Sequence, residues 1–202
     1  KNNNLYINKI NEEIQLESDL VYPLLKSSDL KYEFIQHSRL YTIVTQQSIG
    51  QPTRHIKDRF PRTYDYLNTH SEIFEKRKSS IYKGKPRFSI FGIGDYSFKM
   101  YKIAISGMYN RTRFSFVGPI DGKPVMLDDT CYFIGFDDEA IALKVHAQLN
   151  SELVQGFLKS IIFPDAKRKI TKDILMRIKL DGFKSSEYSH KESAGQLSFF
   201  TS

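Results

Sequence analysis

The order of the strand-like and helix-like segments most constrains the fold of this chain. Short β-branched and aromatic runs, separated by glycines, lie in the middle of the sequence, at residues 88–91, 101–106, 113–117 and 131–136. Amphipathic helical patterns follow at residues 138–150, 152–163 and 171–178. Because strands and helices do not alternate, the order favours an α+β fold over a doubly wound sheet. We therefore expect a central, mostly antiparallel, twisted sheet with helices packed on it.

The segments before this region predict one strand, one helix and one loop. Residues 39–45 are β-branched and aromatic, which is typical of a strand. Residues 61–77 begin with a proline and carry apolar side chains at helical spacing, which predicts a helix. Residues 79–87 contain Gly84 and Pro86 and are expected to form a loop.

We expect three parts along the chain: a leader or linker over 1–20, one domain over 21–180, and a polar tail over 181–202. With 202 residues the chain is long enough to bury a core without disulfides. Because it begins with Lys1 and not Met, it is expected to be a piece of a longer protein. The single Cys131, the lack of a signal peptide and the lack of a membrane-spanning apolar run predict a cytoplasmic protein that contacts no membrane.

The positive charge of the chain is concentrated in one third of its length. Residues 54–113 carry 14 Lys or Arg and 5 Asp or Glu, a net charge of +9. The other 142 residues carry 16 basic and 18 acidic groups, a net charge of −2. A localised basic surface indicates a polyanionic partner, most often nucleic acid.

Lys, Arg and Tyr side chains cluster in this region and form the candidate nucleic-acid site. Lys and Arg contact phosphates, Arg can also read guanine, and Tyr can stack on bases or bond to phosphates. A second basic group precedes the last predicted helix. The candidate contacts are Arg77, Lys78, Tyr82, Lys83, Lys85, Arg87, Tyr96, Lys99, Tyr101, Lys102, Arg111 and Arg113, with Lys167, Arg168 and Lys169 in the second group.

Signals for catalysis or cofactor binding within the chain are weak. The Gly92-Ile93-Gly94 sequence is followed by a strand-like segment, so it favours a tight turn over a nucleotide-binding loop, which needs a following helix. Asp128-Asp129 is typical of a turn, and residues 137–139 of a helix N-terminus. We predict no catalytic residue and no metal site. A metal-dependent nuclease using Asp128, Asp129 or Asp165 remains an alternative, as does an RNA-binding or protein-interaction module.

Several stretches together resemble a known family. They are YPLLKSSDLKYE (22–33), PRTYDYLNTHSEIFEKR (61–77), FSIFGIGDYSFKMYKIAISGMY (88–109), KPVMLDDTCYFIGF (123–136), LNSELVQGFL (149–158) and DAKRKITKDILMRIKL (165–180). In this order they resemble the TaqI-like target-recognition domain at the C-terminus of bacterial adenine-specific DNA methyltransferases. They are also similar to specificity modules of type I restriction systems. The sequence departs from many relatives in having no Trp.

The resemblance implies a reader of double-stranded DNA within a restriction–modification enzyme. The catalytic glycine loop and the Asn/Asp-Pro-Pro-aromatic motif of the family are missing from this chain. S-adenosylmethionine and the methyl transfer would therefore belong to a catalytic domain upstream in the parent enzyme, in the cytoplasm of a bacterium. The enzyme flips an adenine out of the duplex, while the recognition domain holds the DNA and selects the sequence.

The tail contains a second, shorter resemblance. Gln196, Leu197, Phe199 and Phe200 resemble the peptide by which bacterial proteins bind the sliding clamp. The alternative is that both phenylalanines pack on the domain itself.

Overall fold

The structure is a computed structural model that describes residues 4–163 and 169–180. The chain divides into two compact units. The first unit comprises Lys1–Tyr22 and Thr42–Gly94, and the second comprises Pro23–Tyr41 and Asp95–Ser202. The α+β fold class is confirmed, since the chain contains several small sheets and helices in mixed order.

The first unit begins with a hairpin where a leader was expected. Strands β1 (Leu5–Ile7) and β2 (Glu13–Gln15) pair antiparallel, with Tyr6 opposite Ile14. Three short helices follow: α1 (His55–Arg59), α2 (Pro61–Thr69) and α3 (Ser71–Glu75).

The helix expected over 61–77 is divided in two at His70. Asn68, Thr69 and His70 are all poor helix formers, which favours a break at this point. The predicted proline start is confirmed, because Pro61 lies in the first turn of α2. The second part, α3, begins at Ser71 and ends at Glu75.

The carboxylate of Glu17 holds the N-terminus of α2. It accepts hydrogen bonds from the amides of Arg62 and Thr63, at 3.0 and 2.9 Å, and from the Thr63 hydroxyl at 2.6 Å. Burial alone would raise the pKa of Glu17, but these hydrogen bonds outweigh it and hold the pKa below its usual value. Residues before the helix therefore satisfy the amides that a helix start leaves without partners.

Two strands carry the chain between the units. Strand β3 (Val21–Leu25) begins in the first unit, and strand β5 (Leu40–Ile43) ends in it. Between them, strand β4 (Phe34–Ile35) belongs to the second unit.

The second unit contains a mostly antiparallel four-stranded sheet. Its remaining strands are β6 (Tyr101–Ser106), β7 (Ser115–Val117) and β9 (Cys131–Phe136), in the order β4-β7-β6-β9. Strand β6 pairs antiparallel with β7 and β9, while β4 pairs parallel with β7. The short strand β8 (Met126–Leu127) pairs parallel with β3, Leu24 opposite Met126.

The predicted helices after the sheet are confirmed, with earlier ends. They are α4 (Glu139–Leu149), α5 (Glu152–Ile161) and α6 (Lys172–Leu175). Asp138, Ser151 and Thr171 cap their N-termini by accepting hydrogen bonds from backbone amides. Their apolar side chains and one side of the sheet form the main core, which includes Ile103, Ile105, Phe114, Phe136, Leu149, Leu158, Ile170 and Leu175.

Asn150, between α4 and α5, binds the backbone just before β7. Its side-chain amide accepts from the Phe114 amide and donates to the Phe114 carbonyl, both at 3.0 Å. Gln155 of α5 similarly contacts Thr112, and all its polar atoms have partners. The LNS sequence at residues 149–151 therefore has a structural role. Leu149 lies in the core, Asn150 binds the backbone of Phe114, and Ser151 caps α5.

One strand prediction is wrong. Residues 88–91 form no strand, and Phe88 lies at φ +64°, a conformation that an aromatic residue rarely adopts. Among residues 4–163 and 169–180, no helix is long and apolar enough to cross a membrane.

Candidate nucleic-acid interface

A pocket of about 370 Å³ in the first unit brings six of the predicted site residues together. We call it the basic pocket. It lies between α3 and the loop over residues 79–87. Its predicted members are Arg77, Lys78, Tyr82, Lys83, Lys85 and Arg87, and its other lining residues are Ser71, Phe74, Glu75, Ser79, Pro86 and Phe88.

Local turns shape the loop that carries most of these cations. Ser80–Tyr82 forms one turn of 3-10 helix, and the amide of Lys83 donates to the Ser80 carbonyl at 3.1 Å. Gly84 follows at φ +68°, a conformation that glycine adopts without strain. The amide of Lys85 then donates to the Tyr82 carbonyl at 3.2 Å, which closes a second turn. The predicted loop is confirmed, and it has a defined backbone course.

Arg77 is bound within the protein on several sides. Its guanidinium donates to the carbonyls of Phe74 at 3.2 Å and Ser89 at 2.6 Å. The guanidinium carbon also lies 5.0 Å from the centre of the Phe74 ring and 3.8 Å from the centre of the Tyr82 ring. Each such cation–π contact contributes roughly 0.5–2 kcal/mol. Arg77 therefore connects the end of α3 with Tyr82 in the loop and with Ser89 beyond the loop.

Phe88 forms the aromatic floor of the basic pocket. Its side chain is 2% exposed and meets the rings of Phe74 and Tyr64 edge to face, at centroid distances of 5.2 and 6.1 Å. Its positive φ costs energy, which the surrounding contacts must offset.

Side chains fix the backbone on both sides of Phe88. The three consecutive carbonyls of residues 87–89 each accept a side-chain hydrogen bond: from Thr53 at 2.5 Å, from Thr45 at 2.7 Å and from Arg77 at 2.6 Å. The amide of residue 90 donates to Gln46 at 3.0 Å. Sequence reasoning missed Thr45, Gln46 and Thr53. All three side chains are buried. Thr45 ends a β-branched stretch and Gln46 follows it, whereas Thr53 lies in a polar segment that gives no signal of burial.

The remaining cations of the basic pocket face solvent. Lys78, Lys83, Lys85 and Arg87 are exposed, and none forms an ion pair with a carboxylate of the described residues. Glu75 is the one acidic residue that lines the pocket. Since four exposed cations lie together beside one carboxylate, the pocket attracts anions.

The predicted contacts of the second unit are engaged with their own surroundings. Lys99 pairs with Asp137, Arg113 pairs with Glu33 at 3.3 Å, and Arg111 donates to the Lys31 carbonyl. Two tyrosines are half-buried: Tyr96 packs against Phe133, and Tyr101 packs against Phe116. Lys169 is half-exposed, and its amide donates to the Gly107 carbonyl at 3.1 Å.

Lys102 does not reach the surface, which contradicts its prediction as a DNA contact. Its side chain is 1% exposed in the middle of the sheet, and its ammonium donates to the Lys99 carbonyl at 2.6 Å. Burial lowers the pKa of Lys102 to about 7. A phosphate cannot contact this group in the described conformation.

Sequence comparison shows that the chain is similar to a type II methyltransferase. This relative, M.NspV from Nostoc sp., is 44% identical over 181 residues, which cover 90% of the chain. The chain spans 38% of the length of that relative. A search against protein-family models found no match. The part of the methyltransferase that matches this chain is therefore less than half of the methyltransferase's length.

Asp128, one of the acidic residues of the nuclease alternative, has structural partners. Asp128 accepts hydrogen bonds from the amide and hydroxyl of Thr130, at 3.1 and 2.5 Å, which fixes the turn before β9. Asp165 lies outside the described residues. Within the described part of the chain, no three His, Cys, Asp or Glu side chains form a group that could hold a metal ion.

The Gly92-Ile93-Gly94 sequence lacks the setting of a nucleotide-binding loop. Gly92 lies at φ +71°, in agreement with the predicted turn. No strand precedes it, and a single 3-10 turn over Asp95–Phe98 follows. A nucleotide-binding loop requires a strand before and a helix after the glycines.

Several predicted residues lie outside the described residues. They are Lys167 and Arg168 of the second basic group, and Gln196, Leu197, Phe199 and Phe200 of the clamp-binding resemblance.

Proposed function

We propose that this chain is the DNA-recognition part of a restriction–modification methyltransferase that acts on adenine. In this proposal a target-recognition domain over 21–180, TaqI-like in type, binds double-stranded DNA through the basic pocket. The observation that carries the proposal is a set of four exposed cations, Lys78 just before the loop and Lys83, Lys85 and Arg87 on it, none of which pairs with a carboxylate of the described residues. The similarity to a type II methyltransferase supports it.

The chemistry of the basic pocket suits a DNA duplex. Lys78, Lys83 and Lys85 present single positive charges for phosphates, which contribute most of the salt-dependent affinity. Arg87 can bind a phosphate or a guanine edge through two parallel hydrogen bonds. We propose Tyr96, Lys99, Tyr101, Arg111, Arg113 and Lys169 as further contacts from the second unit, together with Lys167 and Arg168.

The chemical step is proposed to belong to another part of a longer enzyme. The chain spans 38% of its methyltransferase relative, and its glycines at 92 and 94 lack the setting of a nucleotide-binding loop. S-adenosylmethionine would bind in the catalytic domain, while this chain selects the sequence and positions the duplex for base flipping. A bacterial cytoplasm is the compartment we propose.

Duplex binding by a double variant tests the proposal. We expect Lys83→Ala/Arg87→Ala to weaken binding of a fluorescently labelled duplex by roughly tenfold at 100 mM salt, because two phosphate contacts are lost. The slope of log affinity against log salt should become shallower by about 1.8, at 0.9 for each contact.

A charge-matched variant provides the control. Lys144 on α4 and Lys159 on α5 are both exposed and lie outside the basic pocket, so Lys144→Ala/Lys159→Ala removes the same charge. The proposal is wrong if both double variants bind alike, or if single-stranded RNA displaces the labelled duplex more efficiently than unlabelled duplex does.

A further inference from the structure

We propose that Arg77 is a positioning residue, which holds the DNA-facing loop in shape and does not itself contact DNA. This inference rests on the proposed function. It separates Arg77 from the exposed cations of the basic pocket, with which sequence reasoning grouped it.

The hydrogen bonds of Arg77 direct its guanidinium toward the protein. One nitrogen donates to the Phe74 carbonyl at the end of α3, and another donates to the Ser89 carbonyl beyond the loop. These two carbonyls bracket residues 79–87. A single side chain therefore sets the distance between the two ends of the loop.

The guanidinium also lies over two aromatic rings. Its carbon is 5.0 Å from the centre of the Phe74 ring and 3.8 Å from the centre of the Tyr82 ring, which is within the loop. Arg77 is half-buried, whereas Lys78 beside it is exposed. Stacking and directed hydrogen bonding together require the planar fork of arginine, which lysine cannot reproduce.

The contact with Ser89 supports the strained residue next to it. Phe88 keeps its positive φ while Thr53, Thr45 and Arg77 hold the three carbonyls of residues 87–89. Loss of the Arg77 hydrogen bond would remove one of these three supports. The backbone could then relax, and Lys83, Lys85 and Arg87 would lose their common placement.

Substitution by lysine distinguishes positioning from contact, because it keeps the charge and removes the fork. We expect Arg77→Lys to weaken duplex binding as much as Arg77→Ala does, roughly tenfold or more, since several phosphate contacts depend on the loop. The salt slope should fall by more than the 0.9 that one lost phosphate contact explains. Lys78→Ala is the benchmark, with an expected fall of about 0.9.

Hydrogen exchange provides a test that requires no DNA. In the free chain, we expect Arg77→Lys to raise amide exchange over residues 79–88 by roughly tenfold or more, with exchange in α2 unchanged. Lys78→Ala should leave both regions as in the wild type. If the wild type does not bind duplex, the proposed function fails, and the exchange measurement still decides the role of Arg77.

Three results would overturn the positioning role. The first is duplex binding by Arg77→Lys with wild-type affinity and salt slope. The second is unchanged exchange over 79–88 in that variant. The third is faster exchange throughout α2, which would indicate a general loss of stability and no specific control of the loop.

Discussion

At the residue scale, Lys102 places an ammonium group within the core of the second unit. It lies in the central strand β6, with Ala104 and Ile103 also buried, and its nitrogen is 5.9 Å from the centre of the Phe133 ring. The Lys99 carbonyl accepts its hydrogen bond. Removing a charge from water is costly, so the neutral amine is favoured and the pKa falls to about 7.

This burial predicts a pH-dependent stability. In the unfolded chain the lysine pKa is about 10.4, so between about pH 7 and 10 the unfolded state binds more protons than the folded state. The free energy of unfolding therefore gains a contribution that increases with pH over this range. Relative to Lys102→Met, the wild type should become more stable by roughly 2–3 kcal/mol from pH 7 to 9.5.

Urea unfolding of both proteins at several pH values measures this difference. The comparison with Lys102→Met is needed because Cys131, whose pKa burial raises to about 12, acts in the opposite direction in both proteins. A constant difference between the two proteins across this range would mean that Lys102 keeps an ordinary pKa.

The side chain of Asn150 predicts a second residue-scale effect. Its amide satisfies both the N–H and the C=O of Phe114, whose side chain is 0% exposed. Asn150→Ala should lower the free energy of unfolding by about 1–2 kcal/mol, since the backbone of Phe114 loses two hydrogen bonds to the Asn150 side chain while its carbonyl stays 3.1 Å from His146 Nε2. Asn110→Ala is the control, because Asn110 is exposed in a turn. Equal free energies of unfolding for Asn150→Ala and Asn110→Ala would mean that the hydrogen bonds between Asn150 and Phe114 do not stabilise the fold.

At the scale of elements, two glycines with open space around them should respond oppositely to the same substitution. A Cβ at either Gly84 or Gly156 would meet nothing within 4 Å. Gly84 lies at φ +68° in the loop of the basic pocket, whereas Gly156 lies within helix α5 with no positive φ. Backbone conformation alone therefore decides the outcome.

We expect Gly84→Ala to destabilise the loop by about 1 kcal/mol and Gly156→Ala to stabilise the chain by about 0.5–1 kcal/mol. Thermal unfolding measures both, and Gly84→Ala should also weaken duplex binding. A stabilising Gly84→Ala would show that the loop does not hold this turn in solution.

Elements whose signals are local were predictable. Strands over 101–106 and 131–136 were predicted with the bounds that the structure has, because their apolar runs end at Gly107 and at an acidic helix start. Residues 88–91 have similar aromatic character but form no strand. Thr45 and Gln46, more than 30 residues earlier, form hydrogen bonds to their backbone, and no pattern within the segment reveals this.

The same distinction applies to the candidate site. Residues 77–87 are close in sequence, so a basic run on a loop was sufficient to predict that they lie together. The burial of Lys102 depends on packing among strands distant in sequence, which bury both faces of β6. The different roles of Arg77 and Lys78 depend on what each side chain contacts, and sequence composition does not contain those contacts.

At the scale of the whole molecule, the proposed function divides DNA reading by this chain from methyl transfer by the rest of a longer enzyme. The basic stretch over 54–113 carries a net charge of +9, and part of it forms a pocket with a fixed backbone. Electrostatic attraction of this kind favours any duplex, whereas sequence selection requires contacts with base edges or DNA shape. Preference among DNA sequences is therefore the property that separates a reader from a general DNA-binding surface.

Selection from a random duplex library tests this claim most directly. The full chain is incubated with duplexes that contain a randomised central region, the bound fraction is recovered and amplified, and the pools from successive rounds are sequenced. The proposed function predicts enrichment of one short shared sequence by the wild type and by Lys144→Ala/Lys159→Ala, and loss of this enrichment in Lys83→Ala/Arg87→Ala. Duplex binding without enrichment of any sequence would contradict it.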